Sequence, residues 1–308
     1  MAVTRANLGR GPAHVTIGGA RLYTRDDLVA RHAPVWEPVR ASMYGEVDKF
    51  KRDLVIRIPL TLFGNWDDLA VLFPAAILTP SVGSSLFGSS DSAVVILGKN
   101  GDQVTYHNAQ ITKLADLFLG VDSELFAAAV EITALIKNSA EVSDANAYYT
   151  VATGQAYTEN EFSKATFKKA RWTGAWGTKT GFTTIVPQAG FNVSWELALE
   201  PVVVDGHGTV DMTIAGLVGT CRCIPLGPTL AQIETENQTQ ALAHGTLLSA
   251  GAANLVITAG ANSVTLNGAG AIESGHAYGI RPLRVGEMAW ATTRGFTLGV
   301  PGAVAALA

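Results

Sequence analysis

The chain has 308 residues, 48% of them hydrophobic and only 16% charged, with 32 glycines and a formal net charge of −4. That length can bury two ordinary cores, the apolar content excludes intrinsic disorder, and the acidic balance argues against a grip on nucleic acid through phosphates. The low charge leaves two readings: much of the surface is hidden in an assembly, or this is a Gly/Ala-rich β protein.

The N-terminal residues MAVTRANLGRGPAH lack the apolar core of a signal peptide, and no apolar run is long enough to span a membrane. HVTIGGARLYTRDD alternates around Gly18-Gly19, a hairpin pattern. Two strand-like runs follow within VWEPVRASMYGEVDKFKRDLVIRIPLTLF, joined by a polar, charged connection from about Met43 to Arg52. Asn65 then suits a helix N-cap and Asp68 favours a helix start. Leu69, Leu72 and Phe73 share one helical face, and Pro74 stops the helix. A Gly/Ser-rich loop leads to a hairpin at Asn100-Gly101. LFAAAVEITALI fits a short helix or a buried strand, and the surrounding pattern favours the strand.

Residues 137–181 read as an inter-domain connection with room for a short helix near 159–167. Strand signals resume in FNVSWELALEPVVV, a DGHG turn, and TVDMTIAGLVGTCRCIPL. A short helix TLAQIETE, starting near Pro228 or Thr229, a hairpin NLVITAGANSVTL and the run RPLRVGEMAWATTRGF complete the chain. Ile58-Pro59-Leu60 and Ile224-Pro225-Leu226 each precede a short helix, a loop and a hairpin. The order of elements therefore reads as an internal duplication. The fold class expected is mainly β, with two tandem β-sandwich or partial-barrel domains, residues 1–136 and 182–308, each carrying one short α-helix.

Little chemistry is legible. His14, His32, His107, His207, His244 and His276 stand singly, none at metal-ligand spacing from another. His107 follows a strand and His207 sits in the DGHG turn, ordinary places for a surface histidine. Asp67-Asp68 open a helix, which accounts for them. Cys221 and Cys223 read as two buried strand cysteines rather than a disulfide or half a metal site. Two glycosylation sequons carry no meaning without a secretion signal. The six tryptophans are dispersed, which favours packing over a stacking platform. No catalytic, cofactor-binding or metal residue is assigned, and no enzyme is expected.

GGARLYTRDDLV, VWEPVRASMYGEVD, a charged connection, LVIRIPLTLFG and a short helix together resemble the major tail tube protein of long-tailed bacteriophages, over most of residues 10–135. The likeness continues more loosely through GFNVSWELALEP and GTVDMTIAGL. It implies a structural virion protein whose rings stack into a tube, assembled in the host cytoplasm and resident in the tail. Its partners would be further copies of itself, in trimeric pseudo-hexameric or hexameric rings, with tape-measure, terminator and tail-tip proteins. DNA would pass through the lumen without specific binding, and no membrane would be involved. The resemblance also implies an arm reaching the adjacent ring. Tyr44, Glu46, Asp48, Lys49, Lys51 and Arg52, with Asp205 and His207 in the second copy, are the contact candidates. The alternative is a receptor- or carbohydrate-binding β-sandwich module of a tail tip or cell surface, which would need an exposed aromatic patch.

Overall fold

The computed structural model describes residues 13–24, 31–87, 93–120, 125–135, 149–158, 171–177, 179–204, 208–226, 228–242, 253–269, 278–280 and 283–299. Among these the protein is mainly β, built on large antiparallel sheets. β1 (Ala13–Ile17) and β2 (Ala20–Thr24) form the expected first hairpin. Gly18 and Gly19 turn it with φ of 56° and 85°, the left-handed geometry a two-residue turn requires.

β3 (Arg31–Ala41) and β4 (Gly45–Gly64) form one long ribbon closed by residues 42–44. The charged connection expected from Met43 to Arg52 is therefore almost all strand. Two bulges hide it in the sequence: Val47 and Arg52 have no opposite residue on β3. Each shifts the two-residue alternation by one, so the pattern looks irregular.

A 3-10 helix (Trp66–Leu72) and a single α-turn, α1 (Ala75–Leu78), stand where one short α-helix is expected. Asn65 is extended but its side chain makes no cap bond; the Asp68 N–H donates to the Asn65 carbonyl at 3.0 Å. Pro74 separates the two pieces because it lacks an N–H to continue the first. Trp66, Leu69 and Leu72 bury the inward face.

β5 (Val94–Gly98) and β6 (Gln103–Tyr106) pair across the Asn100-Gly101 turn. β7 (Ala109–Gly120) and β8 (Phe126–Leu135) follow, so the ambiguous FAAAVEITAL run is strand. The supposed connection supplies β9 (Tyr149–Ala152), which extends β6, and β10 (Thr173–Trp176). The helix expected near 159–167 lies outside the described residues.

The second half runs β11 (Gly190–Val204), β12 (Gly208–Cys223), α2 (Leu230–Leu242), β13 (Leu255–Ala259), β14 (Asn262–Leu266), β15 (Tyr278–Ile280), β16 (Leu283–Val285), β17 (Met288–Thr292) and β18 (Phe296–Leu298). Thr229 opens α2 with a reciprocal cap: Gln232 N–H donates to Thr229 Oγ1 at 3.3 Å, and Thr229 N–H to Gln232 Oε1 at 2.8 Å.

One twelve-stranded sheet, in the order β17-β12-β11-β7-β8-β4-β2-β1-β5-β6-β9 with β3 on β4, runs through both halves. A four-stranded sheet, β10-β13-β14-β18, packs beside it. The tryptophans that look scattered in sequence meet in the core. Trp66 lies 5.3 Å from Trp172, and Trp176 lies 5.9 Å from Trp290, both edge-on. Such pairs contribute about 0.5–1.5 kcal/mol each beyond the area they bury. Cys221 and Cys223 are buried free thiols opposite Trp290 and Met288. Burial pushes Cys223 up to about 12, helped by the nearby Glu287 carboxylate. The two Ile-Pro-Leu runs are not equivalent: the first lies inside β4, the second just beyond the end of β12.

Candidate functional site

The two long ribbons of the main sheet have the same register. Arg31 faces Arg57 in the first, and Ser194 faces Thr220 in the second; Ala41 faces Gly45, and Val204 faces Gly208. All eleven β3–β4 pairs, moved on by 163 residues, are β11–β12 pairs. The bulges move with them: Val47 becomes Val210 and Arg52 becomes Ala215. At that shift Glu37-Pro38-Val39 falls on Glu200-Pro201-Val202, and Gly45, Val47 and Asp48 fall on Gly208, Val210 and Asp211. This repeat is present in the sequence, but the more conspicuous Ile-Pro-Leu pair masks it.

Both ribbons leave the sheet at the same end. β8 covers β4 only from Val55 to Gly64, and β7 covers β11 only from Gly190 to Glu196. Because neighbouring strands are antiparallel, residues 45–54 of β4, past the end of β8, and 197–204 of β11, where it has parted from β7, run toward the same end. At roughly 3.3 Å per residue they extend about 33 and 26 Å. Where they leave the sheet, β8 and β7 lie between them, three strand spacings or about 14 Å; farther on β12 approaches β4, and the two line one cleft. That cleft, of about 480 Å³, opens where β11 parts from β7, lined by residues that include Val55, Arg57, Glu131, Leu199 and Pro201.

Six of the eight contact candidates fall on the first ribbon. Tyr44, Glu46 and Asp48 are exposed at the first tip, beside exposed Met43 and Val47. Lys49, Lys51 and Arg52 lie within β4. Asp205 and His207 are outside the described residues, but Val203 and Val204 below them are exposed. A two-stranded ribbon end with exposed apolar residues, as at 42–48, is a poor free structure and a good docking element.

The sheet also keeps open edges. Among the described residues, β3 pairs only with β4, and β17 pairs only with β12. The other edge of β12 is tied down by the first half of the chain: Leu86 N–H donates to the Met212 carbonyl at 2.7 Å, and Gly83 N–H to Ile214 at 2.8 Å.

One face of the central strands, open to solvent beside that cleft, carries a charge row, and Arg57, Lys113, Glu131 and Glu196 all line the cleft. Glu131 on β8 faces Lys113 on β7, which faces Glu196 on β11. Lys113 Nζ lies 2.8 Å from Glu196, and Arg57 on β4 reaches Glu131 at 3.7 Å. Farther across, Arg222 lies 3.9 Å from Glu287. Exposed pairs of this kind stabilise by about 0.2–1 kcal/mol or less, so folding does not explain the row. Between the charges stand small residues such as Ala127, Ala129, Ser194 and Thr220, with exposed Phe118 and Val218 on the same face.

The histidines do structural work where they are described. His14 is buried, its Nε2 2.6 Å from the Thr158 carbonyl and its ring 4.5 Å from that of Tyr157. Burial holds its pKa below the usual histidine value, against the raising effect of the Thr158 carbonyl. His107 hydrogen-bonds Thr150, linking the start of β7 to β9. Burial and the Asp67 carboxylate push Asp68 up. Among the described residues no three metal-ligating side chains converge, and no helix is long and apolar enough to cross a membrane. Neither a family model nor a curated protein matches this chain.

Proposed function

We propose that this chain is a structural virion protein that polymerises through its open sheet edges and two ribbons into stacked rings, forming a phage tail tube through which DNA is delivered. The observation that carries this reading is the pair of register-identical ribbons leaving one sheet in the same direction. Two equivalent arms on one side of each subunit suit a polar stack, in which every ring reaches the next in the same sense. The arrangement also supports a duplicated unit: β3, β4 and β8 correspond to β11, β12 and β17, and the β5–β6 hairpin to β13–β14.

Ring closure follows from the same repeat. The outer edge of β11 is filled by β7, and its counterpart, the outer edge of β3, has no partner among the described residues. The internal β7–β11 junction is thus a template for a junction between copies, in which β3 of one chain joins the β17 side of the next. Such a head-to-tail contact closes into a ring and removes exposed strand edges. Three chains then place six similar units around the lumen. Tape-measure, terminator and tail-tip proteins are the further partners of such a tube.

Cryo-electron microscopy of intact virions, or of the purified chain seeded with a tail initiator complex, tests the proposal. A hollow tube with three chains per ring is the expected result. Absence of this chain from any tube would reject it. A receptor- or glycan-binding module needs an exposed aromatic platform; Trp66, Trp172, Trp176, Trp195 and Trp290 are buried, and the exposed aromatics Tyr44, Phe118 and Tyr149 lie on separate elements.

A further inference from the structure

We propose that the open face of β4, β8, β7, β11 and β12 is a non-adhesive track for duplex DNA, made so by pairing each of its cations with a carboxylate instead of by excluding cations. The inference rests on the tube reading for its biological setting, but its physical content is read from the face alone.

A phosphate polymer adheres where a protein offers cations that can replace its condensed counterions. Among the residues of this face whose side chains are described, three are cations, and each already has an anionic partner: Arg57 with Glu131, Lys113 with Glu196, and Arg222 with Glu287. Glu131 and Glu196 flank Lys113 on both sides, so four adjacent strands alternate in sign. Exposed Asp116 on β7 and Glu200 on β11 add negative charge along these strands. A phosphate approaching Lys113 or Arg57 must therefore displace a carboxylate and then sit beside it. Without its charges this face would expose small and apolar residues, Phe118 and Val218 among them, a strip open to stacking and aggregation. Paired charges keep it hydrated while leaving no site at which the polymer can stop.

The pairs are the weak point of the design. Neutralising Glu131 and Glu196 leaves the backbone and neighbouring residues in place but frees Arg57 and Lys113. The experiment is fluorescence anisotropy of a labelled DNA duplex against the full, unassembled chain, at two or more salt concentrations. Wild type should show no saturable binding at moderate salt. The E131Q/E196Q variant should bind at least about tenfold more tightly, with a log–log salt slope steeper by roughly one to two units, as one or two new phosphate contacts require. D67N/E234Q, which makes the same change in net charge away from the face, should bind as wild type does.

If the double variant and single E196Q, both with native melting curves, bind DNA no more tightly than wild type, the proposal is overturned. Equal gains in the D67N/E234Q control overturn it too, because net charge would then suffice. If the double variant melts early, E196Q alone decides, since its side chain is largely exposed in the native state. Microscopy tests the tube separately. Gain of binding without any tube rejects the conduit and keeps the charge pairing, whereas tubes without gain of binding do the reverse.

Discussion

Val47 on β4 and Val210 on β12 occupy one position in two copies of the same ribbon, each the unpaired residue of a bulge five residues short of a second one. A bulge sets which side chains beyond it face which way. Deleting Val47 should therefore turn Met43 and Tyr44 to the opposite face while leaving the core intact. Thermal melting should change little, because this part of the ribbon projects beyond the sheet. Tube formation should be lost, and deleting Val210 should have the same effect. Electron microscopy beside a melting curve checks both; tubes of normal length from both deletion variants would exclude the ribbons as assembly elements.

The hairpins at Gly18-Gly19 and Asn100-Gly101 were legible from turn chemistry and the burial of Cys221 and Cys223 from their place in a strand, whereas residues 126–135 fit helix or strand by themselves and only the surrounding β pattern favoured the strand. The continuous β4 strand was not, since its two bulges shift the phase that alternation depends on. The Trp66–Trp172 and Trp176–Trp290 contacts were equally invisible, being fixed only when β10 and β17 reach the same core. Tyr44, Glu46 and Asp48, read from the sequence as part of a polar connection, fall at the exposed end of the β3–β4 ribbon, while the open charge row was missed. Its members lie on four strands, and only the cross-strand register brings them together.

Trp290 is fully buried, touches Trp176 edge-on and sits opposite Cys221, so the core cannot close over its loss. Trp290→Ala should cost about 3–5 kcal/mol in urea unfolding. Trp176→Phe also strands the Ala269 carbonyl that accepts the indole N–H, and should cost about 1–3 kcal/mol. Substituting exposed Tyr44 by Ser should stay within about 0.5 kcal/mol of wild type.

His14 makes stability depend on pH. Its folded pKa lies below the unfolded value of 6.5, so the unfolded chain binds the proton more readily. The stabilisation is complete above that value and is lost as pH falls toward the folded pKa, with a slope of up to about 1.4 kcal/mol per pH unit. Protonation would bury an imidazolium whose Nδ1 has no hydrogen-bond partner, near the Arg21 guanidinium and against the rings of Tyr23 and Tyr157. Asp68, raised by burial, acts in the opposite sense and nearer the carboxylate range. Denaturant unfolding between pH 7 and 5 should show the fall in wild type and a flatter profile in His14→Gln. Identical slopes would remove His14 as the cause.

Gly219 lies on β12 opposite Trp195 and Thr292, where a Cβ would stand 2.5 Å from Cζ of Phe296 and 3.1 Å from Cγ2 of Thr292. Phe296 belongs to β18 of the smaller sheet and is itself buried against Phe73, so its ring has little room to retreat. Gly219→Ala should therefore cost about 1–3 kcal/mol by overpacking, although a methyl group favours the strand conformation. Phe296→Leu should be destabilising alone, yet restore part of the loss when combined with Gly219→Ala, because the shorter side chain vacates the ring position. Urea unfolding of the two single variants and the double gives the coupling directly. Strict additivity would show that the two sheets do not meet through this contact, and that Gly219 is held by something other than the Phe296 ring.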